Sequence, residues 1–203
     1  MYPARHFVVI GERNILHRGL FEVVNTVAHQ HYLQTFHACN IAKWDAERTI
    51  HSRCHLRAAI VCVSQETFMP RCISTLLALK KRVNTRLVVF ADDVSLLTGD
   101  AVQVLQRVIH EEQIIHTRTC RHRISRLLGR VIAGEVRHDS MVQLSQRELD
   151  ILDGFVHGKD AGWQSEHFGI DRCTVYQHRK NCANKLGLKR LKDLTMLKLG
   201  ERP

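Results

Sequence analysis

AGWQSEHFGIDRCTVYQHRKNCANKLGL, residues 161–188, is the stretch that decides the fold of the C-terminal part of the chain. Its first eight residues have helical character and stop at Gly169, a residue that turns the chain at a helix end without steric cost. Asp171 then stands as N-cap to a second helix, with Val175, Cys182 and Leu186 inward at helical spacing. Two helices joined by a tight turn containing glycine, the second one basic, form a helix-turn-helix, which lays its second helix in the DNA major groove. From Arg172 to Lys192 there are basic residues (Arg172, Arg179, Lys180, Lys185, Lys189, Arg190, Lys192) and no acidic one. A basic face alone is more often just solvated. Its place on the second helix of the motif is what directs it at phosphates.

Outward from this motif, "LSQRELDILDGFVHG" (144–158) opens with Ser145 as N-cap and Glu148 three residues on, the spacing of a capping box. Leu149, Ile151, Leu152, Phe155 and Val156 give that helix its apolar face. "RLKDLTMLKL" (190–199) reads as a fourth helix with Leu191, Leu194, Leu197 and Leu199 on one side, a side that either covers its own domain or pairs two DNA-binding domains. "GEVRHDSMVQ" (134–143) breaks the periodicity and reads as a linker.

Before the linker, Val- and Ile-rich runs at 6–10, 58–63, 86–91 and 112–117, with a weaker one at 31–36, look like buried parallel strands. They alternate with helical patterns over Ile15–Val27, Ile41–Ile50, Arg71–Leu79, Ala101–Ile109 and Ser125–Ile132. Repeated strand and helix predict an α/β doubly wound, flavodoxin-like sheet. The expected organisation is a domain over 1–133, a linker over 134–143 and an all-α helix-turn-helix domain over 144–203.

The 203 residues, 44% hydrophobic, suffice for one or two ordinary cores, and a formal net charge of +10 predicts attraction to a polyanion. Seven cysteines, an odd number at irregular spacing, argue for reduced thiols. The apolar run before Glu12 and Arg13 is too short for a signal peptide and no later stretch approaches membrane-spanning length, so the expected location is cytoplasmic, at the nucleoid, with no membrane partner. There is no C-x-x-C, and His110 and His116 stand six apart, so no metal or cofactor is expected. Neither a nucleophile elbow nor a phosphate-binding glycine loop is present, and no enzyme is expected.

Residues 144–194 resemble the DNA-binding domain of the LuxR family, whose pattern runs L-T-x-R-E-x-E-V-L, a Gly, then I-S-x-x-T-V-x-x-H-x-x-x-I-x-x-K-L-G-V. Leu144, Ser145, Arg147, Glu148, Leu152, Gly158, Ile170, Thr174, Val175, His178, Lys185, Leu186, Gly187 and Leu188 stand in register with it. "TVYQHRKN" (174–181) is similar to auxiliary regulators of the RcsA type. The resemblance implies base-reading side chains at Tyr176, Gln177 and Lys180. Gln pairs in bidentate fashion with adenine, and Lys donates to guanine O6 and N7. It implies phosphate contacts from Arg172, Thr174, His178, Arg179, Lys185, Lys189 and Arg190, which position without specifying; for Thr174 and His178, packing within the motif is an equal alternative. Where the family has N-K-E-I-A, this chain has Ala161, Gly162, Trp163, Gln164 and Ser165, which predicts a looser helix or one packed by Trp163.

The N-terminal half resembles the receiver domain of NarL-like regulators. A working receiver holds magnesium with an acidic pair after the first strand and accepts phosphate on an Asp after the third. It completes the site with a Thr or Ser after the fourth strand and a Lys after the fifth. The corresponding positions here are Glu12, Ser64, Ala91 and Arg118, with Asp92 and Asp93 outside the expected place. The resemblance is thus to a degenerate, pseudo-receiver domain, in which aspartyl phosphorylation is not expected. Arg118, Arg121, Arg123, Arg126 and Arg130 make its last helix basic, facing an acidic partner or solvent. The expected protein is a regulator that binds double-stranded promoter DNA as a homodimer or as a heterodimer with another receiver-type regulator. The alternative is a protein–protein auxiliary or antagonist of another response regulator, with weak or no DNA binding because of the helix containing Gly162.

Overall fold

The N-terminal strand runs are continuously apolar because helices cover both faces of the sheet they build. The computed structural model describes residues 5–11, 15–38, 55–64, 67, 69–81, 86–92, 100–136 and 142–197. Strands β1 (Arg5–Ile10), β2 (Gln34–Ala38), β3 (His55–Val63), β4 (Arg86–Ala91) and β5 (Ile114–His116) form one sheet in the order β2-β1-β3-β4-β5. Every pairing is parallel, with Val8 opposite Ala59, Val61 opposite Val89 and Phe90 opposite Ile115. Helices α1 (Ile15–Gln30), α2 (Met69–Lys81), α3 (Asp100–Val108) and α4 (Arg121–Ala133) cross over between or follow the strands. The doubly wound fold is borne out; the helix expected over Ile41–Ile50 lies outside the described residues.

Alternation along each strand sorts side chains into two cores. Phe7, Val9, Ile60, Cys62, Val88 and Phe90 meet α1 and α4, whereas Val8, Ile10, Val61, Val63, Val89 and Ala91 meet α2 and α3. Of the C-terminal helices α5 (Gln146–Val156), α6 (Ala161–Phe168) and α7 (Arg172–Leu186), α5 and α7, with a 3-10 turn over Leu191–Met196, continue the second of these cores, while Ala161 of α6 joins Ile151 and Val175 in a smaller third cluster. Leu149, Leu152, Leu186, Leu191 and Leu194 belong to the second core. Helix α2, between the sheet and α5, is therefore buried on two sides, Ser74 and Thr75 included. Ser74 Oγ donates to Asp153 Oδ1 at 3.0 Å, and Lys81 Nζ donates to Gln146 Oε1 at 3.3 Å. The segment between the halves is tied to both cores, Val136 to the first and Val142 to the second.

Several boundaries differ from the periodicity; β3, for one, begins at His55 rather than Ala58. Strand β2 begins at Gln34 rather than His31, because α1 runs on to Gln30 and closes with a turn in which Leu33 N donates to Ala28 O and Tyr32 takes a φ of 55°. Strand β5 is shortened by a 3-10 turn over Glu111–Gln113, where the buried Gln113 amide donates to Leu87 O at 2.7 Å. Helix α4 starts at Arg121, four residues earlier than its apolar pattern suggests, with Arg121, His122 and Arg123 exposed in its first turn. The fourth helix of the C-terminal domain is a 3-10 turn held by the Asp193 carboxylate, which accepts from Arg190 N at 2.9 Å. Its Leu191 and Leu194 are buried in the chain's own core, so this side of the segment is already occupied.

Candidate nucleic-acid interface

Helix α5 is set by a complete capping box. Ser145 Oγ accepts from Glu148 N at 3.1 Å, and Glu148 Oε2 accepts from Ser145 N at 2.7 Å. The Glu148 side chain, 5% exposed, also takes a hydrogen bond from Lys185 Nζ at 2.7 Å, and Lys185 donates to Gln143 O at 3.0 Å. Burial alone would raise the Glu148 carboxyl; the hydrogen bonds and charge of Lys185, with the Ser145 amide, outweigh it and hold the carboxyl below its ordinary range. Lys185 thus locks the end of α7 to the start of α5. Behind this lock, burial chiefly, with the Glu148 charge, pushes the Cys182 thiol to about 12.

Helix α6 is a regular helix, and Gln164 is the reason. Its side chain is fully buried; Nε2 donates to Ile151 O at 2.7 Å, and Oε1 accepts from Arg179 Nε at 3.1 Å and Nη2 at 2.8 Å. Gly154 makes the space: a Cβ there would stand 2.5 Å from Gln164 Nε2. Arg179 also donates to Lys159 O at 2.9 Å and lies over the Phe155 ring, 5.0 Å from its centroid. The expectation of a looser helix is corrected by this geometry, in which Gln164 joins α5, α6 and α7. Trp163, 40% exposed, packs along the same helix as the other alternative had it, stacked on His167 at 4.3 Å and edge-on to Phe168 at 6.4 Å. Asp160 Oδ1 caps α6 by accepting from Trp163 N at 2.7 Å.

With α6 fixed, α7 presents two faces. Val175, Cys182, Ala183 and Leu186 are buried, and Arg172, Cys173, Thr174, Tyr176, Gln177, Lys180 and Asn184 are exposed. Cys173, Gln177, Lys180 and Asn184 follow one another by four, three and four residues, a single outward stripe. Tyr176, 60% exposed, flanks it. The Gln177 amide donates to Asn181 Oδ1 at 3.0 Å, which orders the side chain before any ligand arrives. Lys189 and Arg190 are exposed just beyond α7, with Arg190 Nε 3.5 Å from Asp193 Oδ1. His178 is half-buried, and its Nδ1 is buried without a hydrogen-bond partner. The domain contact with α3 falls at the other end of the helix, where Arg107 lies against Gly187. Of the candidate phosphate ligands, then, Arg172, Thr174, Lys189 and Arg190 stand in solvent, whereas Arg179 and Lys185 are engaged within the domain.

The carboxyl edge of the sheet carries the other group of candidates. Glu12 lies outside the described residues. Ser64 follows β3 with its N–H donating to Thr67 Oγ1 at 2.8 Å, Ala91 is buried at the end of β4, and Arg118 is exposed in the turn after β5. Sequence reasoning passed over the pair among them: His17 Nε2 and Asp92 Oδ1 meet at 2.5 Å, with His17 4% exposed and edge-on to Phe90. Asp92 N donates to Val63 O at 3.0 Å, which anchors the pair to β3. Gly11 lies beside the pair, and what its missing side chain makes room for is Cys62, whose Cβ would stand 2.5 Å from a Cβ there. The 75 residues separating His17 and Asp92 leave no local sequence signal; the acidic end of β4 was the one visible clue. Among the described residues no three His, Cys, Asp or Glu side chains gather as a metal site would need, and no helix is long and apolar enough to cross a membrane.

Residues 142–198 match the family of bacterial regulatory proteins of the luxR family. No curated protein matches the chain. Among solved structures, RcsB from Salmonella enterica serovar Typhimurium bound to promoter rprA is similar with 13% identity and a TM-score of 0.42, over 94% of this chain and 97% of that one. Full-length FixJ from B. japonicum is similar with 10% identity and a TM-score of 0.45, over 97% and 96%.

Proposed function

With residues 142–198 forming a luxR-family helix-turn-helix domain, we propose that the chain is a transcription regulator that binds promoter DNA through the exposed face of α7 and needs no aspartyl phosphate on itself to do so. The observation that carries this is the division of α7: its buried face is locked by Gln164 and Glu148, and its outward stripe is solvent-exposed, clear of the contact with α3. Tyr176, Gln177 and Lys180 read base edges, with Gln177 suited to adenine and Lys180 to guanine. Arg172, Thr174, Lys189 and Arg190 hold phosphates, and His178 packs beside them. Arg179 and Lys185 act one step back, holding the helix rather than the DNA.

Independence from phosphorylation is supported by Ser64 and Ala91, neither of which offers a carboxylate nucleophile. The His17–Asp92 pair engages the carboxylate that follows β4, at the foot of α1. Such a regulator acts as a dimer, since two α7 helices one DNA turn apart read a two-part site, with a second copy or another receiver-type regulator as the other subunit. The test is selection of random duplexes by the full-length protein alone at about 150 mM salt, where non-specific attraction is weakened. A recovered two-part motif supports a self-sufficient regulator; recovery of no motif leaves the protein–protein auxiliary in its place.

A further inference from the structure

A cleft of about 410 Å³ opens between α1 and α4 at the carboxyl end of β4. That volume lies within the range of small-molecule sites. Its apolar floor is Leu20, Val23, Phe90 and Ile124. At its polar rim stand the Thr117 and Thr119 side chains and two exposed charges of opposite sign, Glu22 on α1 and Arg121 on α4. Among the described residues neither charged side chain has an ion-pair partner, and the two do not pair with each other.

Two further features of the walls have no account in packing. Gly19 lies inside α1, where alanine would favour the helix by about 1 kcal/mol, yet nothing stands within 4 Å of where its Cβ would be. The missing side chain leaves the cleft open. Arg121, His122 and Arg123 crowd the first turn of α4, the end at which the helix dipole is already positive, and no acidic residue stands there to offset them. A bound carboxylate would relieve that clustering.

We propose that this cleft is a binding site for a small zwitterion with an apolar tail, of the chemical class of an aliphatic or aromatic α-amino acid. The carboxylate meets Arg121 and the first turn of α4, the ammonium group meets Glu22, and the tail lies on Leu20, Val23, Phe90 and Ile124. Phe90 stands edge-on to His17, so an occupant touches the ring that packs against the His17–Asp92 pair. The site is separate from the DNA-binding face of α7 and does not depend on it.

Isothermal titration of the full-length protein with L-leucine, L-phenylalanine and L-tryptophan tests the assignment, alongside phenylacetate and 2-phenylethylamine, which keep one charge each. At least one amino acid binds one to one with a Kd between about 10 μM and 1 mM, the range open to a ligand of this size. Phenylacetate and 2-phenylethylamine bind at least about fivefold more weakly than L-phenylalanine, each having lost one charge-assisted contact. Arg121→Gln removes the advantage of L-phenylalanine over 2-phenylethylamine, and Gly19→Leu, which fills the cleft from an exposed position, abolishes binding with the circular dichroism spectrum unchanged. Failure of all three amino acids to bind overturns the proposal. So does binding that survives Gly19→Leu, or affinity indifferent to Arg121→Gln.

Discussion

Replacing Gln164 by alanine removes the one side chain that, among the described residues, links α5, α6 and α7. Two losses add. Ile151 O keeps its helical N–H within α5 but loses this second donor, and the net loss of one hydrogen bond costs about 0.5–1.5 kcal/mol. The Arg179 guanidinium loses the oxygen that receives two of its N–H groups; a hydrogen bond to a charged group contributes about 1.5–3 kcal/mol, and the lower end applies because Arg179 is only half-buried. The expected total is about 2–3 kcal/mol, which for a chain of this size lowers Tm by roughly 4–12 °C. Urea unfolding of the wild type, Gln164→Ala, Arg179→Met and the double variant gives the coupling between the two side chains, expected at about 1–2 kcal/mol for a charge-assisted contact. A coupling below about 0.3 kcal/mol, within the error for independent sites, would refute the network and return Arg179 to the set of residues free to meet phosphate.

The remaining expectations are more local. Lys180→Ala and Gln177→Ala each cost about 1–3 kcal/mol on a specific site and relax base preference, read from binding to single-base variants of that site. Lys189→Ala weakens all duplexes about equally and lowers the salt dependence by about one phosphate contact, measured as the slope of log affinity against log salt. Because the Glu148 carboxyl is held below its ordinary value, its stabilising effect is complete above the unfolded-state pKa and is lost as pH falls through the lower, folded one. Urea unfolding between about pH 3 and 6 therefore shows an acid-side loss of stability, with a gentler slope in Glu148→Gln. Cys120 and Cys173 are exposed whereas Cys62, Cys72 and Cys182 are buried. Alkylation read by peptide mass spectrometry therefore labels the first two and not the other three, and bound DNA protects Cys173 on α7 while leaving Cys120 reactive.

Both cores of the sheet were legible in the sequence because strand and helix alternated with recognisable periods. The bounds of β2 and α4 were not, since each departs from its hydrophobic pattern: α1 continues through polar His29 and Gln30, and α4 starts on three consecutive basic residues. The outward stripe of α7 was readable because Val175, Cys182 and Leu186 fix which side faces in. What stayed hidden were partnerships made across the fold. Gln164 looked like a polar intrusion because its acceptor and donor lie on two other helices. Lys185 and Arg179 looked like free cations for the same reason. The spacing of Gly154 and Gln164, a missing side chain opposite a polar one on a neighbouring helix, was the one available hint of a slot. Docking of the C-terminal helices on α2 left a trace in Ile73, Leu76, Leu77 and Leu79, more apolar surface than a helix covering only a sheet requires.

The most direct test of the central claim is the affinity of the purified full-length chain, with no partner protein and no phosphoryl donor, for its selected duplex against a scrambled one at about 150 mM salt. The account predicts a preference of at least about 10³ for the selected site, the lower bound for specific regulators, unchanged by acetyl phosphate and lost with Lys180→Ala. Equal affinity for both duplexes, or a preference that appears only after acetyl phosphate is added, would contradict it.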